Sequence, residues 1–161
     1  MIKNLKIVFL LFVLCCSSIF ALETSDEKYP NWVLQTSCYT RHYNYNPNHN
    51  NHQHLVGIEY QVNPQDSFGL VYFKNSFYQD SQFLFKAYQW KPFKKAPSIL
   101  TKLRVGFIHG YKGEHKDDLS LNKYGTAPVV VPSIGFSGKT LITEVSFLGN
   151  AAYIVQIGFK L

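Results

Sequence analysis

The end of the chain alternates. Tyr153, Val155, Ile157, Phe159 and Leu161 are apolar, Gln156, Gly158 and Lys160 between them are polar or small, and only Ile154 breaks the rule. A period of two marks an extended strand whose two faces meet different surroundings, because successive side chains point to opposite sides. The same period recurs upstream. Leu141, Thr143, Val145 and Phe147 alternate with Ile142, Glu144 and Ser146. Leu103, Val105, Phe107, His109 and Tyr111 alternate with Lys102, Arg104, Gly106 and Gly110. Val56, Ile58, Tyr60 and Val62 alternate with Gly57, Glu59 and Gln61. Residues 32–45, 68–75, 82–90 and 127–136 supply four more candidate strands, which makes eight. Each is near the length of a tilted strand that crosses a bilayer. No segment after Ala21 holds the apolar run a spanning helix needs.

The polarity of the two faces decides between kinds of barrel. A soluble β-sandwich or a lipocalin-like barrel turns its polar face outward. Here the regular set is apolar, and the opposite set, assigned to the lumen, includes Glu59, Lys86, Arg104 and Glu144. Aromatic residues make up 16% of the chain, with 13 Phe and 11 Tyr, which suits interfacial girdles. At 161 residues there is room for one domain. The expected fold is all-β: a single-domain, eight-stranded, antiparallel transmembrane β-barrel over residues 22–161, with both ends of the sheet on the periplasmic side.

Residues 1–21 read as a cleaved signal peptide. Lys3 and Lys6 form the positive region, an apolar stretch runs from Ile7 to about Cys16, and Ser17 and Ser18 lead to Ala21 as the small residue at cleavage. The alternatives are a transmembrane anchor, for which the stretch is short, and a lipoprotein acylated at Cys15 or Cys16, for which Leu14 and Cys15 are poor preceding residues. After cleavage only Cys38 remains, so no intrachain disulfide forms, and a closed ladder must supply the stability instead. Basic residues still outnumber acidic ones, which suits anionic lipid headgroups or lipopolysaccharide phosphates. No basic run or motif points to nucleic acid, and the expected partner is the outer membrane, entered as a monomer.

Counted from a periplasmic N-terminus, the external loops are residues 46–54, rich in Asn and His, the region 77–81, the charged stretch 112–124, and the tight turn at Gly149–Asn150. The turn between Pro92 and Pro97 carries Lys94 and Lys95 on the other side. Eight strands enclose no pore; side chains or one small ligand fill the interior. That leaves lipid chemistry, binding, or a structural role. His42, His49, His52 and His54 have spacings that suit Zn²⁺ or Cu²⁺, or simply belong to a polar loop. His42, at the external end of the first strand, has the position of a general base, or packs beside Tyr43 and Tyr45. Ser76, in Phe73-Lys74-Asn75-Ser76-Phe77, becomes a nucleophile if His42 meets it across the barrel mouth; otherwise Asn-Ser is turn chemistry. Pro128 and Pro132 bracket an apolar strand, and since proline donates no ladder bond they mark a lateral gap or a bulge.

Several segments together resemble the PagP-type lipid A palmitoyltransferases, and in the same order. They are residues 68–77 with Phe-Lys-Asn-Ser, the Tyr/Trp-rich strand ending at Trp90, the Gly-rich 103–110, the Pro-Val-Val-Val-Pro-Ser-Ile-Gly-Phe of 128–136, and the closing strand 153–161. The resemblance implies a lipid-filled outer-membrane barrel that moves a palmitoyl chain from a phospholipid to lipid A without a cofactor. It implies lateral gates at Pro128 and Pro132. It also implies a catalytic His42 (or His49) with Ser76. Asn75 stands where the family has an aspartate, so an amide rather than a carboxylate would orient the imidazole. The segment before Trp32 is shorter than the family's amphipathic helix. Gly57, Gly69 and Gly106 are the small positions expected to leave lumen space for the acyl chain. The competing reading is a non-enzymatic barrel whose external loops bind a surface partner or a metal, and a third is a soluble exported β-protein.

Overall fold

The computed structural model describes Tyr29 and residues 31–161; the leader assigned to residues 1–21 lies outside them. The described chain is one closed antiparallel barrel in which each strand pairs with its sequence neighbours and the first with the last. The strands are β1 (Asn31–His42), β2 (Val56–Gln61), β3 (Asp66–Lys74), β4 (Asp80–Trp90), β5 (Ile99–His109), β6 (Thr126–Ser137), β7 (Leu141–Leu148) and β8 (Ala152–Lys160). A short 3₁₀ helix, Gly113–Asp118, lies in the connection between β5 and β6. Closure gives every strand a partner on both sides, so over the paired stretches the backbone satisfies its own hydrogen bonds without water, as a span through lipid requires. The expected eight strands are all present. The first ends at His42 rather than continuing to Tyr45.

The alternation resolves as an apolar outside. Leu34, Ile58, Phe68, Leu70, Leu84, Phe107 and Ile134 all face outward and are exposed. Trp32, Tyr88 and Trp90 ring the end that carries the short turns, and Tyr39, Tyr43 and Tyr72 stand toward the long-loop end. Lys86 departs from the expectation that it faces the lumen. Its register places it with Leu84 and Tyr88 on the outer wall, where its ammonium lies 3.1 Å from Asp66 Oδ1 and 4.5 Å from the centroid of the Tyr88 ring. The long apolar stem lets a lysine sit on such a surface while its head reaches a partner.

The lumen is layered. At the short-turn end Val33, Leu100 and Ile142 form an apolar plug. Above it lie two acids and two bases, all buried. Lys102 Nζ is 2.8 Å from Glu59 Oε1 and 3.0 Å from Glu144 Oε1, and Arg104 Nη2 is 2.8 Å from Glu144 Oε2 and 3.5 Å from Glu59 Oε2. Ser67 Oγ donates to Glu59 at 2.6 Å, Ser133 Oγ to Glu144 at 3.0 Å, and Gln35 Nε2 also donates to Glu59. The quartet is neutral as a whole and each carboxylate has several donors, which is the condition under which buried ions are tolerated. Above this layer the inward residues turn apolar: Leu55, Val71, Phe83, Phe85, Ile108 and Val131.

The ladder between β6 and β7 begins only at Ser133↔Ser146, while β5 pairs β6 all the way to Thr126. Ser137 N donates to Ser98 on the β5 side, and Gly138 N donates toward β7. Odd residues of β6 therefore bond toward β5 and even residues toward β7. Both prolines, Pro128 and Pro132, have their nitrogens on the β7 edge, where the ladder is missing and no donor is needed.

Replacing Lys102 with Met should leave Glu59 and Glu144 short of a cation in the barrel interior. We expect a loss of about 3–5 kcal/mol, the usual effect of removing one partner of a buried pair, measured as a lower urea midpoint with unchanged slope. A midpoint within error of wild type would show that the quartet does not hold the barrel together.

Candidate functional site

One irregularity in β1 positions the site. Val33 and Gln35 face inward near the start of the strand. The register against β8 shifts between Ser37 and Tyr39, with Cys38 between the two. A bulge of one residue reverses the parity of everything after it. Thr40 and His42 consequently point into the barrel and are buried, whereas an unbroken alternation would send His42 outward.

Inside the mouth, His42 meets Ser76. Its Nε2 lies 2.8 Å from Ser76 Oγ, and its Nδ1 lies 3.0 Å from Asn51 Oδ1. The Asn51 amide is itself oriented, with Nδ2 donating to the His49 carbonyl at 3.4 Å so that the oxygen faces the ring. An acceptor at Nδ1 keeps the proton there and leaves the Nε2 lone pair free for the serine hydroxyl. Serine, imidazole and orienting amide thus have the geometry that a nucleophile, its base and an orienting group require.

The orienting amide is not Asn75. That side chain stays within its own turn: Oδ1 accepts from Phe77 N at 2.9 Å and Gln79 N at 3.0 Å, and Nδ2 donates to Gln79 Oε1 at 3.3 Å. Asn75 shapes the β3–β4 connection that presents Ser76, together with Tyr78 in the left-handed region (φ 61°). The first loop is clamped onto the same place. Asn50 Nδ2 donates to the Lys74 and Asn75 carbonyls at 3.2 Å each, Asn50 N donates to Ser76 O at 2.8 Å, and Lys74 N donates to Gln53 O at 2.8 Å. These contacts carry Asn51 and His49 over the mouth.

Tyr111, placed by alternation on an outward face, instead packs against the apolar interior and lines the cavity beside Ser76. Burial pushes its phenol up to about 12, so it stays protonated beside the serine. Phe77 ties the loops together: it stacks on His115 at 3.6 Å, meets His49 edge-on at 5.4 Å and Tyr111 at 6.2 Å. His49 packs 4.8 Å from His42. Burial, and then the neighbouring His42, hold the His49 imidazole below its ordinary value, which favours its neutral form beside the base. The loop histidines do not gather: among the described residues no three His, Cys, Asp or Glu side chains are grouped as a metal ion requires.

Ser76 and Tyr111 stand at the mouth of a cavity of about 370 Å³. Its walls include Leu55, Val71, Phe73, Phe83, Phe85, Ile108 and Ile154, and its floor is formed by Gln35, Arg104 and Gln156 at the top of the charge layer. Ile154, the residue that broke the alternation in β8, belongs to this apolar lining. Pro128 and Val129–Val131 form part of the wall, as do the residues of the β7–β8 turn. Val130 is 57% exposed and also lines the cavity, on the stretch of β6 that runs past the end of its ladder with β7. Gly57, Gly69 and Gly106 do not line it. Val71 covers Gly57, the Phe85 ring covers Gly69, and the β4 backbone at Leu84 lies over Gly106. The room these glycines leave is already filled.

No protein-family model matches the chain, and no curated protein matches it. Among solved structures the chain is similar to a barrel from the de novo design of transmembrane β-barrels, with a TM-score of 0.55 and 13% identity, covering 85% of this chain and 100% of that one. It also matches the N-terminal β-barrel domain of Pseudomonas aeruginosa OprF, with a TM-score of 0.48 and 12% identity over 82% of this chain and 98% of that one. The first of these likenesses, with the apolar wall and the closed ladder, shows the fold: an eight-stranded transmembrane β-barrel.

Proposed function

We propose that this chain is an outer-membrane acyltransferase that takes an acyl chain from a phospholipid and passes it to lipid A. The observation that carries the reading is a serine–imidazole–amide chain at the mouth of an apolar, blind-ended cavity in a membrane-embedded wall. The resemblance of the Phe-Lys-Asn-Ser and Pro-Val-Val-Val-Pro segments to the PagP-type enzymes supports the choice of substrates.

In this reading His42 Nε2 takes the proton of Ser76 Oγ as the oxygen attacks the ester carbonyl of the donor. Tyr111 donates to the developing oxyanion. The ester C–O bond breaks, the lysophospholipid oxygen takes the proton from His42, and the acyl group stays on Ser76. A lipid A hydroxyl then loses its proton to His42, attacks the acyl-serine, and Ser76 Oγ recovers the proton. The donated chain occupies the cavity throughout. At roughly one liquid-water volume of about 30 Å³ per methylene, the space holds on the order of a dozen. It enters from the side, between β6 and β7, where Pro128 and Pro132 keep the wall open.

Mass spectrometry of lipid A from cells expressing the wild type should show an added acyl mass that is absent with Ser76→Ala and His42→Ala. No added mass with the wild type would remove lipid A as acceptor. Free fatty acid released from phospholipid in its place would make water the acceptor.

Asn51→Ala should lower turnover by about tenfold to a hundredfold, because a misaligned base loses much of its effect. Heat-modifiable gel mobility of a folded barrel should be retained. Turnover equal to wild type would show that His42 needs no orienting partner.

Ile154→Trp should shift the chain accepted toward shorter donors by about two methylenes, from the volume it removes. Unchanged selectivity on synthetic donors of graded length would place the acyl chain elsewhere.

A further inference from the structure

Among the described residues, the two ends of the barrel carry their charge differently. At the long-loop end the basic residues of the β5–β6 connection, Lys112, Lys116 and Lys123, are interleaved with Glu114, Asp117 and Asp118, so the segment largely neutralises itself. At the other end, the turn between β4 and β5 presents Lys91, Lys94 and Lys95, all exposed, with no acid between residues 91 and 98. The turns at 62–65 and 138–140 contribute no acid either. Asp66, at the start of β3, is held by Lys86 on the outer wall. Lys94 and Lys95 form no ion pair with a carboxylate among the described residues.

The same turn is aromatic. Trp90, at the end of β4, is 49% exposed and Phe93 is 54% exposed, next to the lysines and in line with Trp32 and Tyr88 around the barrel. Amphipathic rings of this kind sit at the level of lipid headgroups. An exposed lysine cluster directly beyond them therefore lies in the layer where phosphates are found, at a depth fixed by the rings. The connections at this end are the short ones, which in outer-membrane barrels face the periplasm and the phospholipid leaflet.

We propose that the β4–β5 turn is a docking site for the headgroups of anionic phospholipids, with Lys91, Lys94 and Lys95 meeting the phosphates and Trp90 and Phe93 holding the turn at the interface. The assignment is independent of Ser76 and stands or falls apart from the acyltransferase reading. Anionic lipid gathered at this rim would anchor the barrel in its leaflet and fix its tilt.

The test is native mass spectrometry of the mature barrel released from nanodiscs containing equal parts phosphatidylcholine and phosphatidylglycerol, counting retained lipids of each kind. The wild type should retain phosphatidylglycerol preferentially. K91Q/K94Q/K95Q should reduce that preference at least tenfold, in keeping with the contribution of a basic residue at an anionic surface. K112Q/K116Q/K123Q, which removes the same formal charge at the other end, should leave it unchanged. No preference in the wild type, or an equal drop in both triple variants, would overturn the proposal. Salt supplies a check that needs no variant: near 1 M, where screening acts within about 3 Å, the wild-type preference should disappear, and a preference indifferent to salt would overturn the proposal as well.

Discussion

The rest of the structure depends on the neutral ion quartet Glu59–Lys102–Arg104–Glu144. A closed sheet of eight strands must fill its interior or admit water throughout. Two bases and two acids held at 2.8–3.5 Å fill the middle of this one, with Gln35, Ser67 and Ser133 completing the carboxylate contacts. The layer divides the lumen. Below it lie the plug of Val33, Leu100 and Ile142 and the buried Gln61 and Gln89; above it the wall is apolar and encloses about 370 Å³. A barrel filled this way is not a through-channel. It is a cup with a polar floor, an apolar wall, and the His42–Ser76 pair at the rim.

The rim is built on backbone rather than on flexible loops. His42 faces inward because a one-residue register shift in β1 reverses the strand's parity, and the ladder to β8 on both sides of the shift fixes that reversal. Ser76 sits in a tight connection whose amides are held by the Asn75 side chain, and Asn51 arrives on a loop clamped to that connection through Asn50 and Gln53. Three elements distant in sequence are brought within hydrogen-bond distance by contacts that are local on each. A serine and a histidine held this way are already aligned before any ligand binds, which lowers the entropic cost of reaching a reactive geometry.

What could be read from the sequence follows the same physics. The strands were legible because lipid outside and polar atoms inside impose a period of two. Strand order put the ends of β1 and β3 on the same rim, so that His42 could reach Ser76, but spacing alone left open whether the two meet. The misreadings have particular causes. Lys86 reads as a lumen residue by charge alone, but parity governs direction and its stem suits the outer wall. Tyr111 continues an alternation that the strand itself abandons at His109. Asn51 was hidden in a polar loop because orienting an imidazole requires only an amide in the right place, which has no periodic signal. The glycines read as space because a missing side chain looks like a void, whereas in the fold Val71, Phe85 and the β4 backbone close over them. The one break in β8, at Ile154, was a usable signal: an apolar residue at a lumen position is informative where the lumen is otherwise polar.

The unladdered edge of β6 bears on the energetics of the lateral entry proposed for the acyl chain. A cavity that reached the surface only through the loop end would require an acyl chain to pass through water, at about 0.8 kcal/mol for each methylene exposed. For a chain of a dozen carbons the total is on the order of 10 kcal/mol, more than loop contacts at the rim would offset. A path through the wall avoids that cost, because the chain exchanges one apolar surround for another. Such a path needs a stretch where two adjacent strands leave each other's backbone groups unpaired, and in lipid an unpaired N–H is costly. Proline is the residue that removes the donor instead of stranding it. Pro128 and Pro132 sit on the β7-facing edge of β6, in the stretch where the ladder to β7 is missing, and Val130 between them belongs to both the outer wall and the cavity. The two prolines are thus the backbone chemistry that an apolar side opening in a membrane barrel requires.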